Sequence, residues 1–319
     1  MDEPLIDILM ATYNGERFVG DQIESIQAQT YQNWRLLVSD DCSADGTVDV
    51  VRRYATGDGR IRIVSEGVRH GGAKENFFAL MAESDAPYAM FCDQDDVWLP
   101  RKVEKSLAAV VELEARHGAD VPLLVFCDMK VVDGQLNVVH ESFERSSYFD
   151  PSRLALHQLI AHNIAAGCCM LFNRTLLLNC RRSTGNGAEM HDWWAMLVAS
   201  AFGYIVYIAE PLSLYRQHGH NQVGANEYSP VDRARNIEFM AHQFILTAKQ
   251  AHAFRLCYDD KLDRCNLHML DEYAEAGRAK VSIKGIAHLA LSGCWKRGAR
   301  KLGQLAAVVM ATSINRKRG

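Results

Sequence analysis

Four short apolar segments alternate with helix-patterned segments inside the first 100 residues, and that alternation restricts the fold more than any other feature. Residues 5–11, 35–39, 61–65 and 88–92 are too short for buried helices and read as strands. Between them, residues 16–29 carry Phe18, Ile23, Ile26 and Ala28 on an approximate helical stripe. Val48, Val50, Val51 and Tyr54 mark a second helix, and Gly71-Gly72 opens a third through residues 76–81. Strands joined by helices form crossover units, so the expected fold is α/β with a mostly parallel, doubly wound sheet. Such sheets bind ligands at the carboxyl ends of their strands. The polar clusters Thr12-Tyr13-Asn14, Asp40-Asp41 and Asp93 to Asp96 all follow strand ends and are therefore expected on one rim.

The third cluster lies in YAMFCDQDDVWLP, residues 88–100, where an apolar strand runs directly into three carboxylates. On an extended backbone Asp93 and Asp95 share a side. Two carboxylates that close repel one another unless a cation lies between them. Mg²⁺ characteristically takes one or two protein carboxylates together with substrate phosphates. The competing reading is a solvated acidic loop at the head of the next helix, whose N-terminus favours Asp96.

Further along, Pro100 opens a helix that stops at Gly118, and residues 123–127 form a fifth strand ended by Asp128. Residues 131–151 read as a loop over the rim, 163–172 as a loop entering a strand, and 174–180 as a helix. Glu189 to Trp194 heads an apolar helix, and two short strands, 204–208 and 212–215, lead into Arg216-Gln217-His218-Gly219-His220. Residues 232–276 lack Gly and Pro and read as two helices. From Arg278 onward there are ten basic residues and no acid, interleaved with Ile283, Leu289, Trp295 and Leu302. That pattern suits either an amphipathic helix on an anionic membrane or a helix packed on the preceding domain with its basic face in water.

The chain has 319 residues, 48% of them hydrophobic, enough for a substantial core. A net charge of −4 argues against nucleic acid as partner. Nine cysteines without a Cys-x-x-Cys pair read as buried thiols of a reducing cytoplasm. Asp2, Glu3 and Asp7 flank an N-terminal apolar run too short for a signal peptide, and no run approaches the roughly 20 apolar residues of a membrane span.

Six ordered pieces, DILMATYNG, LLVSDDCSADGT, FCDQDDVWLP, AGCCMLFNR, HDWW and LYRQHGHNQVG, together resemble the family 2 glycosyltransferases over about residues 5 to 225. The order of the pieces is most similar to the rhamnosyltransferase-like branch of bacterial surface polysaccharide synthesis. The resemblance implies a GT-A nucleotide-diphospho-sugar transferase fold over residues 1–228 and a helical C-terminal region over 229–319. It implies an inverting, metal-dependent transfer of a sugar, L-rhamnose from dTDP-rhamnose being the leading donor and a UDP-hexose the alternative, to a hydroxyl of an oligosaccharide or lipid-linked glycan. Thr12, Tyr13, Asn14, Asp40 and Asp41 would hold the nucleoside. Asp93, Asp95 and His218 would ligate Mn²⁺ or Mg²⁺, Asp93 also reaching the ribose, and Arg216 and His218 would meet the pyrophosphate. Asp192 would be the catalytic base, although His191 stands where many relatives carry Glu. The processive synthases' Gln-x-x-Arg-Trp motif is missing, which implies addition of one sugar or a few.

Each assignment has a plainer rival. Asp192 also suits a helix N-cap, Asp40 and Asp41 suit turn acids, and Trp98, Trp193 and Trp194 suit a core as well as a sugar face. His218 and His220 have the spacing of a zinc pair but no third ligand nearby. A nucleotidyltransferase and a catalytically inactive, membrane-bound scaffold are the rival functions. The expected location is the cytoplasm, peripheral at the inner face of the membrane.

Overall fold

The computed structural model describes residues 3–147, 150–183, 185–218, 237–278, 293–294, 304 and 308. His220 and the basic tail, apart from the backbone of Arg278 and the isolated residues just given, lie outside the described residues. In chain order the elements are β1 (Ile6–Thr12), α1 (Val19–Gln27), β2 (Trp34–Asp40), α2 (Thr47–Gly57), β3 (Ile61–Ser65), α3 (Ala73–Glu83), β4 (Tyr88–Cys92), β5 (Val97–Trp98) and α4 (Lys102–His117). They continue with β6 (Leu123–Val132), β7 (Val138–His140), α5 (Phe143–Ser147), α6 (Leu156–Leu159), a 3₁₀ turn (Gly167–Cys169), β8 (Met170–Asn173), α7 (Arg174–Cys180), α8 (His191–Phe202), β9 (Tyr204–Arg216), α9 (Ile237–Cys257) and α10 (Arg264–Arg278). The chain divides into two compact units, one of residues Met1–Pro151, Ala165–Gly185 and Phe202–Ala225, the other of Ser152–Ile164, Asn186–Ala201 and Asn226–Gly319.

The first unit is built on one sheet with strand order β3-β2-β1-β4-β8-β6-β9-β5, and β7 pairs with β6. β3, β2, β1 and β4 are mutually parallel, β8 is antiparallel to both β4 and β6, and β9 is parallel to β6. The carboxyl ends of β1, β2, β4, β6 and β9 consequently share one rim. Alternating strand residues serve two faces. Ile8, Met10, Leu36, Val38 and Met90 join Val19, Ile23, Val51, Val103 and Val110 of α1, α2 and α4 in one buried cluster. On the other face Phe91 packs edge-on against Phe77 of α3 at 5.4 Å and tilts against Phe172 at 4.8 Å. α4 ends where expected, because Gly118 adopts φ +88° and returns its N–H to Glu114 O.

Asp7 is the one charge inside β1, and it is fully buried. Its carboxylate accepts two 2.8 Å bonds from Arg35, one from Ser84 Oγ at 2.8 Å, and the N–H groups of Asp85 and Ala86. It therefore fixes the start of β1 to β2 and to the turn before β4. Replacing Asp7 by alanine leaves Arg35 and these donors without their acceptor, and should destabilise the first unit by about 3 kcal/mol. Urea unfolding followed by fluorescence measures this; a loss below 1 kcal/mol would mean that water replaces the carboxylate.

Three sequence expectations are revised. β6 does not stop at Asp128 but continues to Val132, because the buried Asp128 carboxylate accepts the N–H groups of Met129 and Glu144 at a register irregularity. Residues 131–151 thus include the end of β6, β7 and α5 instead of a plain loop. The two strands expected over 204–215 are one strand, β9, whose register against β6 shifts near Asp128.

The second unit is helical among its described residues. Trp194, fully buried on α8, meets Phe254 of α9 edge-on at 5.2 Å and donates its indole N–H to Tyr258 Oη at 3.2 Å. α9 packs on α10 through Phe244 against Tyr273 and a 3.0 Å bond between the Thr247 and Tyr273 hydroxyls. The two helices expected within 232–276 are α9 and α10. No helix among the described residues is long and apolar enough to cross a membrane.

Candidate active site

The parallel ladder between β1 and β4 ends at the pair Met10 and Cys92, and the acids follow at once. Asp93 and Asp95 are partly exposed, whereas Asp96 turns inward and is fully buried. Asp96 accepts the backbone N–H of Arg216 at 3.1 Å. Burial, and then the charge of Asp95, raise its carboxyl above the usual carboxylate range. Beneath the turn Lys102 is fully buried, its ammonium donating to Cys168 O at 2.5 Å and lying 4.3 Å from the centre of the Trp98 ring. Trp98 is thus a core residue, paired through β5 with Ser213.

The loops after β1 and β2 are laced together. Thr12 Oγ1 donates to Asp40 at 2.9 Å, and Asp40 also accepts Ser43 N at 2.7 Å, so its carboxylate caps the turn that starts α2's approach. Asn14, in the left-handed region at φ +48°, accepts Ala44 N at 2.8 Å and donates its own N–H to Ser43 Oγ. Asp41 is held by the N–H groups of His70 and Gly71. Tyr13 presents a half-exposed side chain, 49% accessible, and Asn14 beside it is exposed as well.

At the end of β9, Arg216 is 3% exposed and pairs with Asp21 of α1 at 2.8 Å. Its guanidinium lies 4.6 Å from the centre of the Phe18 ring, and His218 stacks on Phe18 at 4.6 Å. His218 Nε2 then meets Asp95 Oδ2 at 2.8 Å. Of the residues anticipated at the phosphates, His218 reaches the acid turn, and the buried Arg216 pairs with Asp21, whose side chain is 53% exposed. The sequence reading placed Asp96 among the rim acids but not its burial against Arg216 N–H, and it missed Lys102, Gln94 and Asp21; each acts through a partner far along the chain, which no local pattern reveals.

Asp192 belongs to the second unit, in the first turn of α8, where its carboxylate accepts Trp193 N–H at 2.5 Å. The helix begins one residue earlier, so Asp192 lies inside it and does not precede it as an N-cap. A negative charge there is favoured by the helix dipole. Trp193 donates its indole N–H to Leu159 O at 2.6 Å. The neighbouring His191 is 3% exposed, and burial pushes its imidazole down from 6.5 to about 3. An unfolded chain therefore binds a proton at this position between those values while the folded chain does not, so stability falls as pH drops. Between pH 6.5 and 5 this should remove about 1.6 kcal/mol, the slope rising from half of 1.36 kcal/mol per unit at pH 6.5 to nearly all of it at pH 5. Urea midpoints of wild type and His191→Asn across that range test it: the variant should show the shallower decline, and parallel curves would contradict the assignment.

The donor set suits a hard divalent cation. The 2.8 Å contact brings the Asp95 carboxylate and the His218 imidazole together, each side chain 15% exposed, one residue removed from the Asp93 carboxylate. Oxygen-rich sites of this kind take Mg²⁺ or Mn²⁺, and an imidazole favours the latter. The group of three donors that lies within 4.8 Å of one another among the described residues is instead Asp93, Asp96 and the Cys168 thiol, of which Asp96 and Cys168 are sealed from solvent.

Over 228 residues the chain is 28% identical to the dTDP-rhamnosyl transferase RfbG of Shigella flexneri, a match spanning 68% of this chain and 74% of that protein. It is also 28% identical over 178 residues to the UDP-Glc:alpha-D-GlcNAc-diphosphoundecaprenol beta-1,3-glucosyltransferase WfgD of Escherichia coli, over 56% of this chain and 63%, less than two thirds, of WfgD. Among solved structures it superposes on residues 1–349 of Staphylococcus aureus TarS in complex with UDP-GlcNAc, with a TM-score of 0.54 and 14% identity over 98% of this chain and 92% of that one. It also superposes on the mannosyltransferase PcManGT of Pyrobaculum calidifontis in complex with GDP-Man and Mn²⁺, with a TM-score of 0.53 and 19% identity over 99% and 88% of the two chains. These likenesses establish the GT-A fold. The family model for glycosyl transferase family 2 matches residues 7–179, which stops short of Asp192, Arg216 and His218 but takes in the loops after β1 and β2 and the acid turn. Because that match covers more than half of the 319 residues, the chain belongs to glycosyl transferase family 2.

Proposed function

We propose that the protein transfers a sugar from a nucleoside-diphosphate donor to a hydroxyl of a growing bacterial surface glycan, with inversion at the anomeric carbon. The observation that carries this reading is the rim itself, where Asp93, Asp95 and His218 adjoin the interlaced loops that hold Thr12, Tyr13, Asp40 and Asp41. Tyr13, Asp40 and Asp41 bind the nucleoside, with Thr12 and Asn14 holding those loops in shape. Asp93, Asp95 and His218 would hold Mn²⁺ or Mg²⁺, which when bound supplies positive charge to the donor diphosphate. Asp192 accepts the proton of the acceptor hydroxyl as its oxygen bonds to the anomeric carbon and the bond to the diphosphate breaks. Arg216, ion-paired with Asp21, supports the Phe18–His218 stack in this reading and does not itself meet the phosphates.

L-Rhamnose from a dTDP donor is the preferred substrate, supported by the RfbG match, and a UDP-hexose is the alternative supported by WfgD. The catalytic region spans residues 1–228 and the C-terminal region 229–319, with the basic stretch 278–319 resting on anionic lipid at the inner membrane face. Thermal unfolding with a panel of nucleoside diphosphates tests the donor site. The matching nucleotide at a hundred times its dissociation constant should stabilise by about 2.7 kcal/mol with Mn²⁺ and clearly less with chelator. Equal shifts with and without metal, or none from any nucleotide, would remove the reading. Removing residues 278–319 should release the protein from membrane fractions, and unchanged fractionation would refute the lipid contact.

A further inference from the structure

The residue between the two acids is held at both ends of its amide. Gln94 is partly buried and its amide pairs with the main chain of Tyr13 in both directions. Tyr13 N–H donates to Gln94 Oε1 at 2.9 Å, and Gln94 Nε2 donates to Tyr13 O at 3.0 Å. This pairing begins just beyond Met10 and Cys92, where the main-chain ladder between β1 and β4 has ended. The side-chain amide thus acts as one further rung between two strands that have started to part. Gly15 makes room for it, since a Cβ there would stand 2.2 Å from Gln94 Oε1 and 2.4 Å from Cδ. The same loop is tied on its other side to the turn after β2, through Asn14 N to Ser43 Oγ and Gly15 N to Thr47 Oγ1 at 2.8 Å. The acid turn and the nucleoside loops are therefore one connected framework, and Gln94 is the link between the two halves.

We propose that Gln94 is a positioning residue that sets the spacing between the metal-binding acids and the nucleoside loop, so that a cation and a nucleotide bind cooperatively through it. The inference rests on the reading of the site as a metal-dependent nucleotide-sugar site. A nucleoside diphosphate spans both halves only when its base and ribose lie on the Tyr13 side while its phosphates meet the cation on the Asp93–Asp95 side. A small drift of one half relative to the other breaks that double contact without harming either half alone.

Two variants disturb the link from opposite ends. Gln94→Met keeps the length of the side chain and removes both hydrogen bonds. Gly15→Ala leaves Gln94 intact and displaces its amide. Dissociation constants of the full chain for dTDP, and for UDP in parallel, are measured with Mn²⁺ and again with chelator, alongside hydrogen exchange of the Tyr13 amide. Each single variant should weaken nucleotide binding about tenfold in Mn²⁺, the worth of two net hydrogen bonds, and by less than about twofold in chelator. The double variant should be no weaker than either single one, because both break the same link. Tyr13 exchange should quicken in both.

Equal losses with and without Mn²⁺, additive losses in the double variant, or unchanged Tyr13 exchange would each overturn the proposal while leaving the site reading intact. Failure of wild type to bind either nucleotide in Mn²⁺ would instead overturn the site reading, and this proposal with it.

Discussion

Asp192→Asn should turn over its donor about 1,000-fold more slowly than wild type while binding the nucleoside diphosphate with unchanged affinity. Asparagine keeps the size of the side chain and an oxygen that can accept the Trp193 N–H, so α8 still starts at His191. What it cannot do is take a proton. Loss of a positioned general base costs roughly 10²–10⁴ in rate, and the effect falls on kcat because the donor contacts lie on other residues. The helix end loses a favourable charge worth about 0.5 kcal/mol, too little to unfold the unit. Single-turnover kinetics on the variant checks the expectation. A rate within fivefold of wild type would return Asp192 to a structural role in the first turn of α8.

Asp95→Ala should lower turnover by a similar factor, about 10³, but through a different parameter. Asp95 joins His218 at 2.8 Å, and removing it would delete one of the proposed ligands together with that ion-pair partner of the imidazole. Several kcal/mol of charge stabilisation on the departing diphosphate go with the cation, and nucleotide affinity in Mn²⁺ should fall about 100-fold alongside kcat. Titration of Mn²⁺ by electron paramagnetic resonance reads the metal directly, without turnover. The two variants are thus distinguishable: the first keeps metal and nucleotide, and the second loses both. Unaltered Mn²⁺ affinity in Asp95→Ala would move the cation to other ligands.

The contrast between these residues follows what a sequence can and cannot display. The alternation of strands and helices, the acids after β4 and the rim shared by three loops were legible because each depends on local periodicity and on where an apolar run stops. β3, β4 and α7 have the boundaries anticipated from the residues alone. Asp128 misled because a carboxylate inside a strand looks like a terminator, and the N–H groups of Met129 and of Glu144, the latter folded back sixteen residues later, make it tolerable there. β5 is two residues long and exists because β9 offers it an edge.

Arg216 was expected among the phosphates on its charge and position. Its pairing with Asp21 spans 195 residues of sequence and could be known only from the fold. Lys102 and Asp96 belong to the same class: each is a charged residue in a polar stretch whose complete burial is a property of the assembled sheet. The nucleoside residues divide in the same way. Thr12 and Asn14, read from the sequence as contacts to a ligand, spend their polar atoms on Asp40, Ser43 and Ala44 and hold the loops that a ligand would touch.

The central claim is sugar transfer from a nucleotide donor by this acid turn, and one assay reaches it most directly. Full-length protein is given labelled dTDP-rhamnose or UDP-hexoses with a short lipid-linked saccharide, and label in the lipid fraction is followed against released nucleoside diphosphate, first in Mn²⁺ and then after chelation. The account predicts that one donor yields label and nucleotide in equal amounts, that chelation stops both, and that restoring Mn²⁺ recovers both. Transfer that continues undiminished in chelator, or nucleotide bound in Mn²⁺ with no transfer from any donor, would contradict it.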